Sequence, residues 1–222
     1  MEKLNEGLKK LNIELSAEQI SSLEIYINSI LEFNESYNLM KADSADELAV
    51  NHILDSLSAY SEISTLIENV AKEKYSDKKE NVVIGDIGSG GGCPGIPLAV
   101  AFPNIHFVLV ERMEKRCDFL EMTISKLKLQ NVKVQCVQAD KVKPDSFDIE
   151  VFRAFHPFDN KIAKLLLGML KSKGYIVAYK ARCEKIQAEM EEVKYVISEY
   201  KKVPLTVPFL EDHERNLVVI QK

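Results

Sequence analysis

The residues best suited to hold a charged ligand lie in one glycine-rich segment, Gly85-Asp86-Ile87-Gly88-Ser89-Gly90-Gly91-Gly92-Cys93-Pro94-Gly95. The segment follows a β-branched run at 82–84 and precedes an apolar stretch of helical character. Glycine tolerates positive φ and leaves the backbone bare, so a loop between a strand and a helix can hold a charged group against main-chain N–H groups. The segment therefore predicts a nucleotide-like cofactor at the end of the first strand of a sheet.

Two classes of cofactor compete for such a loop. Gly90, Gly92 and Gly95 match the Gly-x-Gly-x-x-Gly spacing of dinucleotide-binding folds. Glu111, at the end of the second predicted strand, is placed to accept hydrogen bonds from ribose hydroxyls in either class. The glycine spacing by itself does not separate NAD or FAD from S-adenosylmethionine (SAM).

Three further features favour SAM. Asp86 lies two residues before Gly88, where a carboxylate would repel a pyrophosphate but can accept hydrogen bonds from the α-amino group of SAM. Asp140 follows Ala139 just after the third predicted strand, where it is placed to bind the adenine amino group. The third feature is the hairpin predicted at the end of the chain.

The elements that position these residues follow from hydrophobic periodicity. Residues 1–80 are predicted to be helical, because two capping boxes, beginning at Ser16 and Ser44, precede apolar residues at helical spacing. From residue 81, short β-branched runs alternate with amphipathic segments, which indicates βαβ units and a parallel sheet covered by helices. The predicted strands are 82–84, 106–110, 132–134, 148–152, 175–178, 203–207 and 217–220, and the helices between them are 95–101, 114–128, 158–171 and 183–199.

The last two predicted strands have no helix between them, so they predict an antiparallel hairpin at one edge of the sheet. The predicted fold is α/β: a Rossmann-like, mostly parallel seven-stranded sheet of the class I SAM-dependent methyltransferase type, preceded by an N-terminal helical region. We expect the helical region, residues 1–80, to pack on a methyltransferase domain formed by residues 81–222.

Composition and charge limit the possible partners. Of the 222 residues, 46% are hydrophobic and 28% are charged, which excludes a disordered or fibrous chain. No apolar run approaches the roughly 18 residues of a membrane span, and the chain opens with charged residues, so we expect a cytoplasmic protein without a membrane partner. The formal net charge of −5 divides into −9 for residues 1–70 and +4 for residues 71–222. The second part is therefore the one expected to contact a polyanion.

The four cysteines, Cys93, Cys117, Cys136 and Cys183, are far apart in the sequence and form no Cys-x-x-Cys motif. We interpret all four as reduced thiols and predict neither a disulfide nor a metal site. None lies in the Pro-Cys or Thr-Cys context of a pyrimidine C5 nucleophile. The segment after the fourth predicted strand also lacks the Asn/Asp-Pro-Pro-aromatic loop of adenine amino-methyltransferases.

Several longer runs together resemble the RsmG/GidB family of bacterial small-subunit rRNA guanine-N7 methyltransferases, over nearly the whole chain. The runs are Asn51-His52-Ile53-Leu54-Asp55-Ser56-Leu57, Asp86-Ile87-Gly88-Ser89-Gly90-Gly91-Gly92-Cys93-Pro94-Gly95-Ile96-Pro97-Leu98-Ala99, Arg153-Ala154-Phe155, Tyr179-Lys180 and Arg215-Asn216-Leu217-Val218-Val219. The resemblance implies SAM contacts from Gly88, Cys93, Ala139, Asp140 and Arg153. With Asp86, Gly90 and Glu111 from the loop and strand analysis, these residues make up the predicted cofactor-binding set.

The resemblance also implies a reaction: methylation of N7 of a guanosine in the 530 loop of 16S rRNA. The partner would be 16S rRNA, a precursor particle or the small ribosomal subunit, and we expect the enzyme to be a monomer. Two alternatives stay open from the residues: a methyltransferase for a small molecule or a protein on the same scaffold, and a nucleotide-binding module without catalysis.

Guanine N7 carries an unprotonated lone pair at neutral pH, so methyl transfer to it needs no general base. Positioning and electrostatics should supply the rate, and we predict no acid/base residue. His52, Asp55 and Lys180 are candidates for orienting the guanine, the SAM carboxylate or an RNA phosphate, although a structural hydrogen-bonded histidine is equally compatible with His52. Arg153 ends a parallel strand, where such sheets bind ligands.

Overall fold

The chain forms one mixed sheet, as seen in a computed structural model that describes residues 2–42, 44–156 and 158–222. The strands are β1 Val83–Ile87, β2 His106–Glu111, β3 Val132–Cys136, β4 Phe147–Arg153, β5 Leu170–Lys180, β6 Lys201–Leu205 and β7 Arg215–Gln221. Their order is β3-β2-β1-β4-β5-β7-β6. Strand β7 pairs antiparallel with β5 and β6, and the other pairs are parallel. The predicted fold class is confirmed, including the antiparallel hairpin at one edge.

The helices are α1 Glu2–Lys10, α2 Ala17–Asn34, α3 Ala45–Leu48, α4 Asp55–Leu57, α5 Tyr60–Lys74, α6 Gly95–Ala101, α7 Glu114–Leu127, α8 Asn160–Met169 and α9 Cys183–Val193. Ser16 caps α2 through the predicted capping box with Gln19, and the Ser44 hydroxyl caps α3 by accepting from the N–H of Glu47. Within the described ranges, none of these helices is both long enough and apolar enough to cross a bilayer.

A π-helix, Ala49–Leu54, connects α3 to α4. Such turns are rare and are often found at functional sites. This one carries His52 and leads directly into Asp55, two of the predicted substrate-orienting residues.

Several predicted boundaries differ from the structure by a few residues, and two differ by five or six. Strand β5 begins at Leu170 instead of 175, because Leu170 already pairs with Phe147 before an irregular turn in which Lys173 has a φ of +59°. Helix α9 ends at Val193 instead of 199. The N–H groups of Val196 and Ile197 both bond to the Val193 carbonyl, but Ile197 stays buried, so the apolar pattern continues beyond the helix.

Two apolar clusters cover the two faces of the sheet, because side chains alternate along each strand. One joins strand residues such as Ile84, Leu109 and Val177 to the helices α1, α2, α5, α6 and α7. The other lies beneath α8 and α9. The N-terminal helices therefore share a continuous core with the sheet, and the division at residue 80 stays a prediction.

The expectation of four reduced thiols is wrong for two of them. Cys117 on α7 and Cys136 at the end of β3 form a disulfide with their Cα atoms 5.8 Å apart. They are separated by 19 positions in the sequence. They meet because α7 packs against β3, which brings the end of β3 beside the first turns of α7. Cys93 and Cys183 are free.

Two acidic residues on β4 have opposite electrostatic environments. Burial disfavours the charge of Asp148, but hydrogen bonds from Lys171 (2.8 Å) and Lys74 (2.6 Å) outweigh it and hold the pKa of Asp148 below its usual value. Glu150 is fully buried, and neither of its carboxyl oxygens has a hydrogen-bond partner among the described residues. Burial raises the pKa of Glu150 well above its usual value, so the fold favours the neutral acid.

We expect Glu150→Gln to abolish a loss of folding stability that the wild type suffers as the pH rises. An acid with a raised native pKa contributes most to stability below its unfolded pKa, and this contribution is lost as the pH rises toward the native pKa. Beginning near pH ~4.3, the wild type should lose about 1.4 kcal/mol of unfolding free energy per pH unit relative to the variant. Urea unfolding at several pH values above that point measures the difference.

The control for this measurement is Glu68→Gln, which removes an exposed carboxylate and should show no such trend. A stability difference between wild type and Glu150→Gln that does not change with pH would contradict the prediction.

Candidate active site

A cleft opens at the carboxyl ends of β1, β4 and β5, the edge at which parallel α/β sheets bind ligands. It has two halves that share Gly88, Arg116, Ala154, Phe155 and His156. The first, of about 600 Å³, is lined by the glycine loop, the π-helix and the ends of β4 and β5, and we call it the glycine-loop half. The second, of about 440 Å³, lies between the ends of β2 and β3 and the start of α8, and we call it the β2–β3 half.

The glycine loop adopts a backbone that only glycine accepts readily. Gly88, Gly90 and Gly92 have φ values of +73°, +58° and +99°. A Cβ on Gly92 would also lie 2.6 Å from the Ile96 side chain. The bare backbone of Gly88 and Gly90 therefore lines the cleft, where the sequence predicts cofactor contacts.

Asp86 lies beneath this loop and lines neither half of the cleft. Its Oδ2 accepts a hydrogen bond from the N–H of Gly95 (3.0 Å) at the start of α6, and its Oδ1 has no partner among the described residues. Burial raises the pKa of Asp86 to about 7. Asp86 thus joins the loop to α6, and its contact with the amino group of a cofactor stays a prediction.

Glu111 ends β2 with its carboxylate in the β2–β3 half. Its Oε2 accepts from the N–H of Gly90 (2.9 Å), and its Oε1 accepts from the N–H groups of Arg112 (2.8 Å) and Met113 (2.9 Å). Ala139 and Asp140 line the same half from a short 3-10 turn, Ala139–Lys141, that follows β3. The fold thus brings three of the predicted cofactor residues together.

Arg153 extends from the end of β4 to the π-helix. Its Nη1 donates to Oδ2 of Asp55 (2.6 Å) and to the carbonyl of Asn51 (3.0 Å), and its Nη2 lies 2.8 Å from Nδ1 of His52. The second oxygen of Asp55 accepts from Nε of Arg215 (3.0 Å), at the start of β7. Asp55 therefore bridges two guanidinium groups, and all five residues line the glycine-loop half.

His52 is occupied by this network. Burial lowers the pKa of His52, and the positive charge of Arg153 lowers it further, so the imidazole is favoured in its neutral form. If Nδ1 accepts from Arg153, the N–H at Nε2 faces the carbonyl of Lys41 at 3.4 Å. This arrangement positions Arg153 and leaves neither ring nitrogen free to act as a base.

Lys180, the third predicted substrate-orienting residue, lines the cleft at the end of β5. Its Nζ forms an ion pair of 2.5 Å with Glu189 on α9, and this pair holds the side chain against the wall. The fold thus brings His52, Asp55 and Lys180 into the glycine-loop half with Cys93 and Arg153.

Tyr26, on α2, supports the glycine loop and was not among the predicted site residues. Its hydroxyl donates to the carbonyl of Gly91 (2.6 Å) and lies 3.3 Å from Sγ of Cys93. Burial raises the pKa of both Tyr26 and Cys93, which keeps both groups neutral. In the sequence, Tyr26 resembles any other residue in the apolar stripe of a helix. Its role is visible only from its tertiary contact.

We expect Tyr26→Phe to weaken binding of SAM, the predicted ligand, about 3- to 10-fold. Loss of the hydroxyl leaves the buried carbonyl of Gly91 without its donor, which costs about 1–3 kcal/mol and loosens the loop. Calorimetric titration with S-adenosylhomocysteine measures the change. The matched control is Tyr75→Phe, which loses a hydroxyl bonded to Asp148 near the amino end of β4, away from the cleft, and should not affect ligand affinity. Wild-type affinity in Tyr26→Phe would rule out this role.

Two other segments contribute residues to the site that were not predicted as site residues. Arg215 and Asn216 enter the glycine-loop half from β7, and Leu39, Met40 and Lys41 enter it from the segment before α3. Arg215 and Asn216 occur in one of the family-like runs, which was the available sequence signal. Local periodicity does not distinguish residues 39–41 from an ordinary interhelical connection.

Comparison with known proteins agrees with this geometry. A model of the GidB family, described as rRNA small subunit methyltransferase G, matches residues 19–218. The ribosomal RNA small subunit methyltransferase G of Treponema denticola is 39% identical over an alignment that covers 99% of this chain and 93% of the relative.

Two solved structures share the fold at low identity. A human methyltransferase 10 domain containing protein matches with a TM-score of 0.55 and 13% identity, over 88% of this chain and 95% of its own. TYW2 from M. jannaschii, in complex with AdoMet, matches with a TM-score of 0.50 and 18% identity, over 74% and 75%. The family match includes the glycine loop, the π-helix and the two arginines that donate to Asp55. The chain therefore belongs to the rRNA small subunit methyltransferase G (GidB) family.

Proposed function

We propose that the protein transfers the methyl group of SAM to N7 of a guanosine in the 530 loop of bacterial 16S rRNA. The observation that carries the proposal is that a single family match, over residues 19–218, includes every residue that lines the two halves of the cleft. The name of the relatives, ribosomal RNA small subunit methyltransferase G, identifies small-subunit rRNA as their substrate, and the residues of the cleft are compatible with that chemistry.

The two halves of the cleft offer suitable partners for SAM. Glu111 is placed to accept from the ribose hydroxyls and Asp140 from the adenine amino group, both in the β2–β3 half. The bare backbone of Gly88 and Gly90 would hold the methionine portion, with its carboxylate toward Arg153. When bound, SAM supplies a methyl group activated by its sulfonium.

The residues of the cleft would orient the base and need not move a proton. Neutral His52 and the side-chain oxygen of Asp55 hold the guanidinium of Arg153 in one place, which is the pre-organisation that a positioning mechanism requires. Lys180 and Arg215, on the cleft wall, are placed to donate to O6 of guanine or to an RNA phosphate while N7 stays free.

The charge of the cleft wall suits a polyanion. Seven lysine and arginine residues line the two halves: Lys41, Arg112, Arg116, Arg153, Lys161, Lys180 and Arg215. Of the acidic residues there, Asp55 and Glu111 are held by hydrogen bonds within the protein. We infer that the substrate is 16S rRNA in the small ribosomal subunit or its precursor, modified in the cytoplasm by a monomeric enzyme.

The test maps 7-methylguanosine in 16S rRNA by borohydride and aniline cleavage, in cells with and without the gene. We expect a cleavage in the 530 loop that disappears with the gene and returns with the wild-type copy. An identical pattern in both strains would overturn the proposal. Methyl transfer to a metabolite or protein extract, with none to small subunits, would instead support the alternative substrate class.

A further inference from the structure

Phe155 occupies the junction of the two halves of the cleft. Its ring packs against the backbone of Gly88 so closely that a Cβ there would lie 2.3 Å from Cδ2 of the ring. The preceding residue, Ala154, has a φ of +53°, a conformation that residues with a side chain rarely adopt and that is enriched at functional sites. This turn after β4 directs the ring of Phe155 toward the glycine loop.

The junction is also where methyl transfer must occur, and this step rests on the proposed function. A SAM molecule that reaches from Glu111 to Arg153 would place its sulfonium between the two halves, beside Gly88. The target base must approach the methyl group at the same place. Among the described residues, the aromatic side chains that line both halves are those of Phe155 and His156.

We propose that Phe155 stacks on the target guanine and stabilises the positive charge that the base acquires. The N7 lone pair forms the new N–C bond, the C–S bond breaks with its electron pair on sulfur, and the formal charge moves from sulfur to the purine. No proton is transferred. An aromatic face attracts a cation through its quadrupole, so Phe155 interacts more strongly with the charged, product-like purine than with neutral guanine. Such differential binding raises kcat.

The geometry favours Phe155 over its neighbour for this contact. His156 is exposed and meets the Phe155 ring edge-on, with centroids 4.7 Å apart and planes at 78°. Phe155 is half-buried and packs against the apolar cluster under α8 and α9, which limits where its ring can turn. Because the ring covers the same Gly88 backbone that the cofactor needs, cofactor binding must turn it toward the entering base.

The first experiment compares Phe155→Leu with Phe155→Tyr in methyl transfer to small subunits from a strain that lacks the gene. Leucine removes the ring face, and we expect kcat to fall about 10- to 30-fold. Tyrosine keeps the ring face and should restore most of that loss. The affinity of Phe155→Leu for S-adenosylhomocysteine should stay within about threefold of wild type, since the charge effect acts on the base.

The second experiment reads the ring directly. The chain contains no tryptophan, so Phe155→Trp introduces a single tryptophan at the junction. We expect its emission to change on binding S-adenosylhomocysteine, and to be quenched further by 7-methylguanosine 5′-monophosphate more strongly than by guanosine 5′-monophosphate. His156→Trp is the matched control and should respond weakly to both nucleotides, because that side chain is exposed.

The outcomes separate this inference from the proposed function. A wild-type protein that methylates no small subunit would overturn the proposed function. An active wild type together with an equally active Phe155→Leu would overturn the role of Phe155. Equal quenching by the charged and uncharged nucleotides, or a stronger response from His156→Trp, would also overturn it.

Discussion

Arg153→Met should lower kcat/KM for methyl transfer about 100-fold or more. The substitution removes the donor to Asp55, Asn51 and the neighbouring His52, and so it breaks the network that shapes the glycine-loop half. Removing one partner of a buried ion pair also costs about 3–5 kcal/mol of stability. A misplacement of about 1 Å among positioning groups is enough for a loss of this size. Steady-state kinetics on small subunits, with unfolding free energies measured in urea, would show both effects.

The chain contains a closely matched control for this variant. Lys74 and Asp148 form an ion pair of 2.6 Å near the amino end of β4, away from the cleft, and the basic side chain is 18% exposed, as in the pair of Arg153 with Asp55. Asp148 has a second basic partner, Lys171, just as Asp55 has Arg215. Lys74→Met should therefore lose stability while keeping kcat/KM at a temperature where the variant is folded. Equal losses of activity in both variants would mean that Arg153 acts only through stability.

Glu111→Gln should raise the dissociation constant for SAM about 10- to 100-fold. The carboxylate accepts from the N–H groups of Gly90, Arg112 and Met113, and the proposed function adds the ribose hydroxyls. Glutamine replaces one acceptor oxygen with a donor and removes the charge, and a hydrogen bond to a charged group contributes about 1.5–3 kcal/mol. Calorimetric titration with S-adenosylhomocysteine measures the loss, with NADH as a competitor that should have no effect.

Glu150→Gln is the control for this substitution, because it makes the same residue replacement at a buried position outside the cleft. Glu150→Gln should bind the ligand as the wild type does. If Glu111→Gln also retains wild-type affinity, Glu111 supports the loop without contacting the cofactor.

Local signals were sufficient for much of the fold. Strand and helix periods located all seven strands, and α6 matches its predicted range 95–101. The end of α9 was predicted too late because tertiary packing continues its apolar pattern beyond the helix. Ile197 extends the stripe of α9 because it still packs into the core, although the helix has ended at Val193.

The predicted domain division at residue 80 depends on local composition and pattern alone. A change in composition near residue 80 separates helical from α/β sequence, but cores are shared through contacts that composition does not record. The pairing of Cys117 with Cys136 belongs to the same class of contact, since it depends on how α7 packs against β3.

The sequence by itself determined the fold class, the glycine loop and the family, because these depend on local rules: alternation along a strand, turn spacing in a helix, and glycine where φ must be positive. Only the tertiary structure decided how the site is assembled. Asp55 meets Arg153 across 98 positions and Arg215 across 160, and Tyr26 meets Gly91 across 65. The physical reason is that the partner of a buried charge or hydroxyl is set by chain packing, which no local pattern specifies.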